Sequence, residues 1–148
     1  MYKRFLALDP SGTGTTGICL IENNEVTFQE FQSPNWKEHW NHIVQLIQNY
    51  RPKLVLYETT NYLNSRGKDM TSLFKLLGNL ESLGHSEGVL VNQVKELKKK
   101  LFTQKASIGG ISYSPGRSKG WSYQKQWISV HCLEAYLVWW LWNRNYEK

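Results

Sequence analysis

Leu6-Ala7-Leu8-Asp9-Pro10-Ser11-Gly12 and Leu54-Val55-Leu56-Tyr57-Glu58 are the two stretches on which the reading of this chain turns. Each is a short apolar run that ends in an acid, and the first passes straight into turn residues. Short apolar runs bounded by turn signals read as strands buried on both faces, the kind that parallel sheets use. If the two strands are parallel neighbours joined by a helical crossover, Asp9 and Glu58 leave the sheet at the same edge. Adjacent carboxylates are poorly explained by packing, because removing like charges from water is costly unless a proton or cation lies between them. Taken singly, either acid reads equally well as the cap of a following turn.

Working outward, Gly17-Ile18-Cys19-Leu20-Ile21, Glu22-Asn23-Asn24-Glu25 and Val26-Thr27-Phe28 read as a strand, a tight turn and a strand, so the chain opens as an antiparallel meander. Ser33-Pro34-Asn35 supplies the start of a helix with Trp36, Trp40, Ile43, Val44 and Ile47 on one face, ending before Arg51-Pro52. The spacing of Leu73, Leu76, Leu77 and Leu80 predicts a helix over 69–83. Val89-Leu90-Val91 is a fifth strand, 94–102 a short basic helix, and 103–120, with Gly109, Gly110, Gly116 and Gly120, an exposed loop. A long helix over 122–143 follows. The order β-β-β-α-β-α-β-α-α predicts an α/β layer fold in which helices flank a five-stranded mixed sheet, within one domain over 1–148.

The composition fits such a core: of 148 residues, 41% are hydrophobic, 14% aromatic and 20% charged, which excludes a disordered or fibrous chain. The longest apolar stretch, near Leu133 to Trp142, contains Glu134 and falls short of the roughly 18 residues of a membrane span. With no secretory leader in view, a cytoplasmic protein without membrane attachment is expected. Cys19 and Cys132 lack zinc-ligand neighbours and are too few for a disulfide framework, so they read as reduced apolar fillers. The net charge of +6 is unevenly spread. Residues 1–94 carry 8 basic and 9 acidic side chains, whereas 95–125 carry Lys95, Lys98, Lys99, Lys100, Lys105, Arg117, Lys119 and Lys125 against Glu96 alone. Such a stretch beside a neutral body is the footprint of a polyanion partner, though a lysine-rich helix end kept only for solubility gives the same count.

The last helix carries His131 and Glu134, three apart and so on one face, interrupting an apolar stripe of Ile128, Ala135, Val138 and Trp142. Its far side is also apolar, with Val130, Leu133, Tyr136, Leu137 and Trp140. If His131 and Glu134 meet Asp9 and Glu58, the set is oxygen-rich with an imidazole at its margin. That suits Mg²⁺ or Mn²⁺ better than structural zinc.

In this order and spacing, the residues resemble the RuvC family of Holliday junction resolvases, within the ribonuclease H-like superfamily. Leu6-Ala7-Leu8-Asp9-Pro10-Ser11 with Thr16-Gly17 looks like that family's first strand, and Leu56-Tyr57-Glu58 like its catalytic glutamate strand. Leu76-Leu77-Gly78-Asn79-Leu80 resembles its dimer-forming helix, and Val94-Lys95 its valine-lysine pair. His131-Cys132-Leu133-Glu134-Ala135 lies where the family usually has two aspartates three apart, followed by alanine. Here His131 replaces the first acid, and Glu134 replaces the second with a side chain one methylene longer.

The resemblance implies a ribonuclease H-like fold and a metal-dependent endonuclease of DNA recombination and repair that resolves four-way junctions by paired nicks. It implies Asp9, Glu58 and Glu134 as ligands of two Mg²⁺ (or Mn²⁺) ions, with His131 as a fourth ligand or as positioner of the attacking water. The eight basic residues of 95–125 would grip the DNA backbone, and Tyr62 reads either as a base-stacking residue at the junction centre or as an ordinary, partly buried tyrosine. The partners implied are branched DNA and a second copy of the chain, with Leu73, Phe74, Leu76, Leu77 and Leu80 as the dimer contact or, on periodicity alone, as internal packing. No helicase partner can be named. Two other readings stand beside this one: a ribonuclease H-like nuclease of the YqgF type acting on RNA or RNA:DNA hybrid, and a non-catalytic nucleic-acid-binding module. The actin and sugar-kinase superfamily shares the first-strand signature, but its kinases need two such domains.

Overall fold

Four apolar residues, Phe5 to Leu8, turn alternately to both faces of β1 (Arg4–Asp9) and are all buried, which makes β1 the middle strand of a five-stranded sheet. The computed structural model describes residues 3–60, 68–104, 108–114 and 120–146. β1 pairs antiparallel with β2 (Thr15–Glu22) and parallel with β4 (Leu54–Thr59), giving the order β3-β2-β1-β4-β5 with β3 (Glu25–Gln32) and β5 (Ser86–Leu90) at the edges. The hairpin between β2 and β3 turns through Asn23 and Asn24, both left-handed (φ 53° and 71°), a conformation that asparagine tolerates better than most residues. The mixed sheet and the meander are those the sequence predicts.

The chain returns from β3 to β4 through α1 (Trp36–Tyr50), capped by the Asn35 side chain, which accepts from the Lys37 amide, and closed at Arg51 in the left-handed region. Ile43 is buried on the expected face. So, unexpectedly, is His39: its Nε2 donates to the Ser33 carbonyl (2.7 Å) and its Nδ1 lies 2.8 Å from the Thr16 hydroxyl. The Thr16 oxygen in turn accepts from the Ser11 amide (3.0 Å), tying the turn after Asp9 to α1.

α1 and α2 (Lys68–Glu81) cover one face of the sheet, over Leu6, Leu8, Ile18, Val55 and Tyr57. Leu76 and Leu80 are fully buried in that layer and Leu77 nearly so. Within one copy Leu76 and Leu80 thus keep no surface that a partner could touch, whereas Leu77 keeps a little. Leu73 is partly buried and Phe74 stays exposed.

The other face carries α3 (Val91–Gln104) and α4 (Val130–Tyr146), packed over Phe5, Ala7, Cys19, Ile21 and Leu56. α4 is apolar nearly all round because it is covered on both sides. Leu133, Tyr136 and Leu137 of its far side are buried, while Val130 remains exposed. Its outer cover is a second sheet that sequence reading misses, of β6 (Ile111–Ser114), β7 (Gly120–Tyr123) and β8 (Gln126–Ile128). Residues placed above in a loop (111–114) and at the start of the last helix (122–128) are therefore strand and turn, and α4 begins only at Val130, where the Ser129 hydroxyl accepts from the Cys132 amide (3.1 Å). Cys19 and Cys132 are buried free thiols. Among the described residues, no helix is long and apolar enough to cross a membrane.

Candidate metal centre

Asp9 is the last residue of β1, and the parallel register that sets Leu8 beside Tyr57 brings Glu58 next to it at the same sheet edge. α4 supplies the third acid because its first turn lies directly on β2. Gly17, paired with Asp9 across the β1–β2 ladder, sits so close to α4 that a Cβ there would fall 2.0 Å from the His131 carbonyl oxygen. The close approach explains the glycine and sets how far α4 reaches over the sheet. One ligand oxygen each from Asp9, Glu58 and Glu134 then lies within 4.8 Å of the others. His131 stands at the margin, its Nδ1 3.6 Å from Asp9 Oδ2 and its side chain 40% exposed.

Three carboxylates this close cannot all be charged cheaply. Burial first, then the charges of Glu134 and Glu58, push the Asp9 carboxyl up to about 10. Burial and the Glu134 charge push Glu58 up to about 7, against a hydrogen bond from Asp9 and the charges of Lys98 and Lys95, which favour its ionised form. Lys98 Nζ bonds Glu134 Oε1 at 2.7 Å, a contact between α3 and α4. One acceptor is left over, since Glu58 Oε2 is buried without a hydrogen-bond partner. Two oxygens on one hard cation lie at most about 4 to 5 Å apart, twice the metal–oxygen distance. An all-carboxylate set of this span with an unsatisfied oxygen thus fits a divalent cation of the Mg²⁺ or Ca²⁺ kind.

Stability should follow from these shifts. Folded Asp9 and Glu58 hold protons more tightly than they do unfolded, so their contribution is present at low pH and is lost as pH rises through about 7 and on toward 10. A bound divalent cation neutralises the same charges, so Mg²⁺ should raise the melting temperature more at about pH 8 than at about pH 5. Equal shifts at both, measured by thermal unfolding with and without Mg²⁺, would exclude cation binding by these acids.

Beside the acids opens a cleft of 340 Å³, walled by Pro10, Thr59, Met70, Val91 and Lys95 as well as Asp9 and Glu58. Leu73 and Leu77 also line it, so α2 turns these two leucines toward the acidic site. The expected basic residues divide. Lys95 is on the cleft wall and Lys98 is paired with Glu134, whereas Lys100 lines a separate hollow with Glu96 and Arg144. Lys99 is exposed on α3, and Lys125 is exposed in the β7–β8 turn. Tyr62, Lys105, Arg117 and Lys119 lie outside the described residues. Sequence reasoning missed the Lys98–Glu134 pair, whose partners are 36 residues apart, and the buried His39 beneath the Asp9 turn.

No protein-family model matches the sequence, and no curated protein matches it. Among solved structures, the chain is similar to Thermus thermophilus RuvC in complex with a Holliday junction substrate, with TM-score 0.57 and 15% identity, covering 97% of this chain and 96% of that one. It is also similar to a second structure of Thermus thermophilus RuvC, with TM-score 0.54 and 15% identity, covering 93% and 90%. The chain therefore has the ribonuclease H-like fold of RuvC, with a mixed five-stranded sheet flanked by four helices.

Proposed function

We propose that this chain, built on the RuvC fold over almost its whole length, is a metal-dependent endonuclease that resolves four-way DNA junctions as a homodimer. The observation that carries the reading is the Asp9–Glu58–Glu134 oxygen cluster, with its unpartnered Glu58 oxygen, at one edge of that fold. A packing role gives no reason to gather three carboxylates there.

Asp9, Glu58 and Glu134 hold two Mg²⁺ ions in this reading, and His131, beside Asp9, completes the set or orients the attacking water. Ions held there would supply an activated water and charge for the leaving 3′ oxygen, and the products would carry 5′-phosphates. Lys95 on the cleft wall and Lys98 beside Glu134 place positive charge where the scissile phosphate must lie. Lys99 and the remaining basic residues of 95–125 hold the backbone, which fixes position without reading sequence. With one such set of acids among the described residues, each chain cuts one strand, so two symmetric nicks require a two-fold pair, in which the exposed Phe74 of α2 is available for the contact.

A substrate panel tests this directly. With labelled four-way junction, duplex, flap and RNA:DNA hybrid in Mg²⁺, the junction should be cut fastest. Preferential loss of the hybrid would instead favour the RNA-directed nuclease, and binding without any cleavage the non-catalytic module.

A further inference from the structure

On α3 the spacing Val91, Lys95, Lys98, Phe102 is four, three, four, which places these side chains on one stripe of the helix. The first two line the acidic cleft and the third pairs with Glu134, so the stripe leads from the candidate metal centre outward along the helix. It ends in an exposed aromatic ring. Phe102 is 53% exposed, although α3 has a buried face of its own in Val94, Leu97 and Leu101. Its inner side rests on Tyr113, ring centroids 4.7 Å apart, and Tyr113 rests on the buried Trp121 at 4.8 Å. The second sheet thus backs the outer ring with two more and anchors the row in the core. Lys99, exposed and three residues before Phe102, shares that side of the helix.

We infer that Phe102 is a stacking platform for an unpaired DNA base close to the cut strand's scissile phosphate. The inference rests on the nuclease reading above and adds how that site would tell a branch from a duplex. At 1.5 Å of rise per residue, Phe102 lies about 6 Å beyond Lys98 and about 10 Å beyond Lys95 along α3. That corresponds to about two to three nucleotides at 3.4 Å each. A base within a duplex has both faces covered by its neighbours and offers none to the ring. A base freed at a branch point offers a face, and stacking on an aromatic side chain is tolerant of base identity. The lysines of the stripe hold the phosphates that lead to it, so the ring adds discrimination by shape where the charges give none.

The test uses the full chain with Ca²⁺ replacing Mg²⁺, and a four-way junction carrying 2-aminopurine at the branch point. Phe102→Leu keeps an apolar side chain against Tyr113 but removes the stacking face, and Phe102→Trp restores one. Wild type and Phe102→Trp should quench the 2-aminopurine. Phe102→Leu should not, and it should bind the junction about 5- to 150-fold more weakly while binding duplex as wild type does. Quenching and junction affinity in Phe102→Leu equal to wild type would overturn the platform while leaving the nuclease reading intact. If wild type fails to prefer the junction at all, the nuclease reading fails by itself. The same comparison on a single-stranded 2-aminopurine oligonucleotide then decides for or against the platform.

Discussion

Glu58→Gln should reduce Mg²⁺-dependent junction cleavage on the order of 1,000-fold or more, since the metal contributes several kcal/mol to the transition state and about 1.4 kcal/mol is a factor of ten. The same substitution should raise the melting temperature of the metal-free protein at neutral pH and above. Glu58 is buried beside Asp9 and Glu134, and its carboxyl is pushed up to about 7, so ionising it costs stability that the neutral amide does not lose. Loss of activity together with gain of stability is the signature of a group retained for chemistry. Activity within tenfold of wild type, or a fall in melting temperature, would remove Glu58 from the metal centre.

The second large effect is expected at a residue that carries no ligand atom but lies beside Asp9 in the sheet. Gly17→Ala places a methyl group 2.0 Å from the His131 carbonyl oxygen and 2.4 Å from its carbon, positions that only backbone movement can relieve. Overpacking costs about 1 to 3 kcal/mol where side chains can yield, and here a helix terminus must shift, so a loss of about 3 kcal/mol or more is expected in chemical denaturation. The displaced turn carries both His131 and Glu134, so Mg²⁺ affinity should fall as well. Gly78→Ala provides the contrast: nothing lies within 4 Å of its Cβ, and it sits exposed within α2, so it should stabilise by about 0.5 to 1 kcal/mol. If Gly17→Ala behaves like Gly78→Ala, the approach of α4 to β2 does not set the site.

The parts of this architecture that could be read from sequence are those with strong local signals. The apolar runs at Phe5–Leu8 and Leu54–Tyr57, each ending in an acid, reveal two buried strands and two members of the acidic cluster. The Asn23-Asn24 turn reveals a hairpin, and the leucines of α2 a buried helix face. The second sheet has no such signals. Its strands are 4, 4 and 3 residues long, and β7 turns into β8 through Gln124 and Lys125, which adopt φ 48° and 69° without the asparagine or glycine that usually marks such a turn. The start of α4 is obscure for a related reason. A helix buried on both sides shows no polar face, so its periodicity does not fade where the helix ends, and the Ser129 cap is the only local cue. The leucine stripe of α2 could be read either as internal packing or as a dimer contact, because an apolar stripe records burial without saying what does the burying. The Lys98–Glu134 pair and the Phe102–Tyr113–Trp121 row depend on contacts between distant segments, which no local pattern encodes.

The central claim, that this acidic edge cuts DNA junctions in symmetric pairs, is tested most directly on a supercoiled plasmid bearing an extruded cruciform. In Mg²⁺ the wild-type chain should convert it to linear DNA with opposed nicks across the cruciform base and little accumulation of nicked circle, and Glu58→Gln should leave it supercoiled. Accumulation of nicked circle alone, or an intact cruciform under conditions where an RNA:DNA hybrid is degraded, would contradict it.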